Sequence, residues 1–473
     1  YDATLYHHID NNFGPNPDLD KIIWSQENPA DPATWGWTTA DTLFLHLIRA
    51  CHLRGMKIII DGVFNHTGTA FWAFQDILKN KQQSLYKDWY TITRWDDPLT
   101  PQDEFDYAGW YGIKDLPELT ETEQGWIPPI RDHLRAVVKR WMDPDGNGDP
   151  SDGIDGWRLD VADMVKLESW KEFHRWVKSI NPNAYLTGEV WWQDWAHNGM
   201  YNAAPWMQGD CFDGVMNYRF ARAAVNWCAS KQNKIRTRNF VDSLQAIYQD
   251  YHPDHVMVLQ NLYDSHDVDR LSSQIINPDR WYDHLAGYKD NKQYEIRAPR
   301  NTEMQILRMM VALQFSLPGA PMIYYGDEAG MWGGDDPDCR KPMVWPDRIY
   351  DDEKAHPDHR ERPSDPVRFD TGLFDWYRRL IAIRRAEPSL SRGDIQFLQI
   401  NDSDDLLVFS RTFNYQTCFV IINNRSQSQT CTLDRSLFKP LQQVRDLITQ
   451  SNYPVTDSLV TFSLDAYQVL ILK

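Results

Sequence analysis

From about residue 40 to 390, short near-continuous apolar runs alternate with amphipathic stretches of helical period. The runs are KIIIDGVFN (57–65), GWRLDVAD (156–163), AYLTGEV (184–190), GVMNY (214–218), HVMVLQNLYDSHD (255–267) and PMIYYGDE (321–328). Their β-branched character, without strict alternation, predicts parallel strands buried on both faces. Between them, TADTLFLHLIRACHLRG, IRDHLRAVVKRWM, SWKEFHRWVKSI, NTEMQILRMMVALQFSL and GLFDWYRRLIAIRRAEPSL carry apolar residues at helical spacing. Strand–helix alternation over this length predicts an α/β fold with a parallel sheet.

Each run closes on polar, ionisable residues: Asn65-His66, Asp160, Glu189, Asn217, His266-Asp267 and Asp327-Glu328. Chemistry gathered at the C-terminal ends of several strands predicts a (β/α)8 TIM barrel. A doubly wound sheet would concentrate its site in one or two turns. No glycine-rich phosphate loop follows a strand, which argues against a nucleotide site. Residues 66–128 are aromatic and loop-rich, and are expected to form an excursion on the catalytic face. After about residue 393 the texture changes to LLVFSRTF, CFVIINN, VTFSL and YQVLILK. The expected division is a catalytic barrel over 1–392 and a C-terminal antiparallel β-sandwich domain over 393–473.

Composition narrows the function. Hydrophobic residues make up 42% and charged residues 25%, an ordinary globular balance. A net charge of −18 at pH 7 argues against nucleic acid and anionic membrane as partners. No apolar run reaches the roughly 18 residues of a membrane span. Cys51, Cys211, Cys228, Cys339, Cys418 and Cys431 are scattered, and are expected to be free thiols. Most of the 21 Trp, 22 Tyr and 19 Phe should be core. The doublet Trp191-Trp192 follows Glu189 closely, and its ring faces suit stacking on sugars.

Cleavage of a glycosidic bond needs two carboxylates flanking it. Retaining enzymes hold them roughly 5–5.5 Å apart, one attacking the anomeric carbon and the other protonating the leaving oxygen. Asp160 and Glu189 end consecutive runs, where neighbouring barrel strands can hold them in that way. Arg158 and Asp160 are two apart on one strand and share a face, so the guanidinium is expected to keep Asp160 ionised. Glu189 has to keep its proton to act as general acid. Asp267 adds a third strand-end carboxylate, and His66 and His266 can donate hydrogen bonds to sugar hydroxyls.

DGVFNH (61–66), GWRLDVAD (156–163), GEVW (188–191) and SHD (265–267) resemble, in order and spacing, four signature segments of the α-amylase family of glycoside hydrolases (family 13). GAPMIYYGDE (319–328) resembles a further family segment on the eighth strand. The resemblance implies Asp160 as nucleophile, Glu189 as acid/base and Asp267 as transition-state stabiliser. It implies Arg158, His66 and His266 as substrate-binding residues, and Tyr1 as a stacking residue after the second strand. It also implies that the barrel's first two strands lie outside this chain, leaving six. FDGVMNY (212–218) and Val161-Ala162 are similar to the neopullulanase/cyclomaltodextrinase group, and LPELT (116–120) resembles another of its segments except at Thr120. Many α-amylases carry Lys-His where this chain has Asp163-Met164, which argues against a liquefying α-amylase and against the calcium site that uses that His.

A different calcium loop is expected at DPDGNGDPSDG (143–153), where Asp143, Asp145, Asn147, Asp149 and Asp152 supply clustered oxygens. It resembles the start of an EF-hand loop without the bidentate Glu. No organic cofactor is expected. The reading is a retaining glycosidase for α-1,4 bonds of maltodextrins, cyclodextrins, pullulan or starch, with α-1,6 links as an extension. A 4-α-glucanotransferase with the same centre is the alternative, and a non-catalytic glucan-binding relative the remote one.

Overall fold

The structure, a computed structural model, describes residues 2–473, so Tyr1 lies outside the described residues. The chain separates into two compact units, one running up to Trp191 and including Tyr201–Val215, the other Trp192–Met200 with Met216–Lys473.

The first unit opens with helix α1 (Pro17–Gln26), which Asn16 caps and Pro17 starts. Helix α2 (Thr39–His52) begins in a capping box, Thr38 accepting from the Asp41 amide while the Asp41 side chain takes the Thr38 amide. Strand β1 (Ile59–Gly62), helix α3 (Pro128–Met142), strand β2 (Gly156–Leu159), helix α4 (Leu167–Ile180), strand β3 (Tyr185–Gly188) and strand β4 (Gly214–Val215) follow. The four strands form one parallel sheet in the order β1-β2-β3-β4. Trp157, Leu159 and Leu186 are buried within it, as expected of strands covered on both faces. Trp170, Phe173 and Val177 make one buried stripe on α4, and Phe173 packs on Phe64 and Trp157. Each such side chain contributes about 1.5–3 kcal/mol of burial. The excursion over 66–128 is less irregular than expected, because it contains a helix, Trp72–Asn80, and short antiparallel pairs.

The second unit contains helices α5 (Tyr218–Cys228) and α6 (Thr237–Asp250), strand β5 (Gln260–Asn261), helix α7 (Asn301–Ser316), strand β6 (Ala320–Pro321) and helix α8 (Thr371–Ala386). Strands β5 and β6 pair in parallel. Strands β7 (Asp394–Asn401), β8 (Leu406–Phe413), β9 (Gln416–Asn423), β10 (Gln429–Asp434), β11 (Leu459–Leu464) and β12 (Val469–Leu472) complete it. A sheet ordered β7-β8-β9-β12 contributes Val408 and Ile421 to a core that also takes Leu433 and Phe462 from the β10-β11 pair. That is a sandwich of two antiparallel layers. Buried Arg384 donates to the carbonyls of Phe315, Leu317 and Gly319, and buried Arg411 to those of Ser316 and Gly393. Gly393 apart, these carbonyls lie at and just beyond the end of α7, where none has a partner within the helix.

Five of the six parallel strands among the described residues fall in the predicted runs and β6 begins one residue before its run, but all are shorter, with 2 to 4 residues each. In β2 and β3 the ladder stops where the polar residues begin, at Asp160 and Glu189. The backbone bonds outlast it by one residue, since the Asp160 amide still donates to the Gly62 carbonyl and the Glu189 amide to that of Leu159.

Candidate active site

Register decides which side chains meet in the first unit. Asp61 on β1 and Arg158 on β2 are direct partners across the parallel ladder, and an Arg158 Nη1–Asp61 Oδ1 contact of 3.0 Å joins them. The same Nη1 lies 2.6 Å from Asp160 Oδ1, and Nη2 lies 2.8 Å from Glu189 Oε1. One guanidinium therefore bridges both predicted catalytic carboxyls. Glu189 Oε2 accepts the amide of Val161 at 3.1 Å. Val161 pays for that aim with φ of 46°, a left-handed conformation that β-branched residues avoid. Gly188 must be glycine, because a Cβ there would lie 2.2 Å from the ring of Phe212.

Asp160 is 5% exposed and Glu189 7%. Burial pushes the Asp160 carboxyl up to about 7, the negative charge of Glu189 adds to this, and Arg158 opposes it. Sequence reasoning gave the guanidinium the upper hand, whereas desolvation wins. Asp163 is likewise raised to about 7, by burial and then by Glu189.

His66 is buried, with its ring stacked on Trp110 at 5.5 Å, and Tyr6 donates to its carbonyl at 2.8 Å. Trp191 is buried beside Glu189 in the chain. In the second unit, His266 Nε2 lies 3.0 Å from Asp267 Oδ2, while Arg340 Nη2 holds Asp267 Oδ1 at 2.7 Å. Arg340 also donates to the His266 carbonyl. Other strand-end residues prove structural. Asn217 bonds Asn261, and Asp327 pairs with buried Arg270. Sequence reasoning left Asp61, Asp163 and Arg340 without a role. Asp61 was legible as the register partner of Arg158, whereas Arg340 sits in an irregular loop with no periodic signal.

The loop after α3 brings three predicted metal ligands together. One carboxylate oxygen each of Asp143, Asp145 and Asp152 lies within 4.8 Å of the others. Asp149 is not in that cluster; its Oδ1 accepts the amide of Ser151, and Asn147 Oδ1 accepts that of Asp149. Burial, Asp145 and Asp143 together raise the Asp152 carboxyl.

Residues 37–393 match the α-amylase catalytic domain, and residues 395–471 the C-terminal domain of maltogenic amylase. This chain belongs to the α-amylase family. Its fold is accordingly the family's (β/α)8-type barrel followed by an antiparallel β domain. The chain is 34% identical over 416 residues to neopullulanase 2 of Thermoactinomyces vulgaris, covering 85% of this chain and 59% of that protein. It is 31% identical over 382 residues to a cyclomaltodextrinase of Geobacillus thermopakistaniensis, covering 81% and 53%. A solved cyclomaltodextrinase structure superposes with a TM-score of 0.73 at 28% identity, over 100% of this chain and 65% of that one. The chain thus spans little more than half the length of the curated relatives it matches. Among the described residues no helix is long and apolar enough to cross a membrane.

Proposed function

We propose that this α-amylase family chain carries the centre of a retaining glycoside hydrolase for α-1,4-glucosidic bonds in maltodextrins and cyclodextrins. The observation that carries the reading is the single Arg158 guanidinium bridging Asp160 and Glu189. A shared cation favours the shorter carboxyl separation of retaining enzymes over the wider gap that admits a water. In the first step the Asp160 carboxylate attacks the anomeric carbon, and Glu189 gives its proton to the departing glycosidic oxygen. In the second, Glu189 takes a proton from water, whose oxygen displaces Asp160 and restores the α anomer. Asp267, oriented by Arg340 and His266, is assigned to stabilising the transition state, and Arg158, His66, His266, Trp191 and Tyr1 to holding the sugar. The neopullulanase and cyclomaltodextrinase names of the relatives support this substrate class. We assign residues 1–392 to the catalytic barrel and 393–473 to the C-terminal domain. A structural calcium is assigned to Asp143, Asp145 and Asp152, since three carboxylates so close repel without a cation.

Proton NMR of the sugar first released from maltoheptaose tests the mechanism. An initial α anomer is expected, and an initial β anomer would overturn it. Products from β-cyclodextrin and pullulan then report linkage preference, and longer oligosaccharides in place of glucose and maltose would mark a glucanotransferase.

A further inference from the structure

We propose a transition-metal site in the first unit, away from the catalytic carboxyls in sequence, formed by His7, His8 and Glu27 and suited to zinc. His8 Nε2 lies 2.8 Å from Glu27 Oε2, and His7 Nε2 lies 3.3 Å from the same oxygen. One ligand atom from each of the three residues falls within 4.8 Å of the others. Ligands on a tetrahedral zinc with bonds of about 2.0–2.1 Å stand roughly 3.3 Å apart, so little movement would seat an ion. Two imidazoles and one carboxylate are a donor set that selects zinc and its neighbours over calcium or magnesium.

The surroundings are built as such sites are. Asp41 Oδ2 holds His8 Nδ1 at 2.7 Å, the carboxylate–histidine arrangement that fixes a ligating ring's tautomer and direction. The amide of Gly36 donates to Glu27 Oε1, leaving Oε2 turned to the histidines. The His7 ring is stacked on Trp35 with centroids 4.2 Å apart and planes 9° from parallel. All three ligand side chains are almost wholly buried, at 0%, 1% and 3% exposure. An adjacent pair of buried histidines aimed at one oxygen is costly to keep for packing alone. Zinc seated there would replace the contacts of His8 Nε2 and His7 Nε2 with Glu27 Oε2. The site would tie the segment before α1 to the end of that helix and, through Asp41, to the start of α2.

The test uses the whole chain freed of metal and then given zinc chloride. Diffraction at the zinc edge should show an anomalous peak among His7, His8 and Glu27, and zinc should raise the melting temperature. Glu27→Gln should weaken zinc binding at least tenfold by calorimetry, whereas Asp143→Asn should leave it unchanged. A peak only at the Asp143 loop or at surface histidines would overturn the proposal, as would zinc affinity unchanged in folded Glu27→Gln. No peak at all would overturn it as well.

Discussion

The Asp160–Glu189 doublet sets expectations for both activity and stability. Glu189→Gln should lower kcat by about 10²–10⁴-fold for an ordinary glucan. An activated aryl glycoside, whose leaving group needs no proton, should recover most of the first step. Equal losses on both substrates would remove Glu189 from the acid role. Asp160→Asn should abolish turnover on either substrate. The same change should also stabilise. The Asp160 carboxyl sits at about 7 against 3.8 for the free group, so it is held above its unfolded value. Its contribution to stability is full below about pH 4 and is lost as pH rises through 7. At pH 8 the wild-type chain bears a buried charge that asparagine lacks, and Asp160→Asn should melt ~2–4 °C higher. At pH 5 the difference should shrink. A lower melting point for the variant at pH 8 would show that Arg158 dominates after all. The identities of these residues were legible because each closes an apolar run. Their charge states were not, since burial depth depends on packing that no local pattern encodes.

Whole elements position the pair through close fits. Gly188→Ala would drive a Cβ into the ring of Phe212, and overpacking of that kind costs about 1–3 kcal/mol. A lower melting temperature together with a lower kcat is expected. Gly188→Ala/Phe212→Leu should restore both in part, and failure to do so would place the damage elsewhere. In the loop following α3, chelation should lower the melting temperature of the parent, but not that of Asp143→Ala/Asp145→Ala. An unaffected parent would delete the proposed calcium. Helices α2, α3, α4, α7 and α8 were readable from their periodic stripes, and the strands from their apolar runs. Strand length was not, because a run stays apolar beyond the point where its ladder bonds end. The grouping of the loop's oxygens escaped prediction for a similar reason. Asp149 lies outside the group formed by Asp143, Asp145 and Asp152, a grouping set by how the turn folds and not by its composition.

For the molecule as a whole, charge and cysteine chemistry give the clearest expectations. An uncharged glucan gives the net charge of −18 nothing to act on, so KM for maltodextrins should change less than about twofold between 50 and 500 mM salt. A steep salt dependence would point to a charged ligand. Cys51, Cys211, Cys228, Cys339, Cys418 and Cys431 are all free thiols, as the scattered spacing suggested. Reductant should therefore leave the melting temperature unchanged.

The left-handed turn at Val161 ties the backbone just past Asp160, the proposed nucleophile, to the carboxylate of Glu189, the proposed acid. The two reactive groups are thereby geared together, since a shift of one strand end drags its neighbour along. On warming, such a centre should not drift through a series of half-competent geometries. It should behave as a latch, engaged until the tether releases and idle afterwards, so that loss of turnover and loss of that one amide bond share a single temperature.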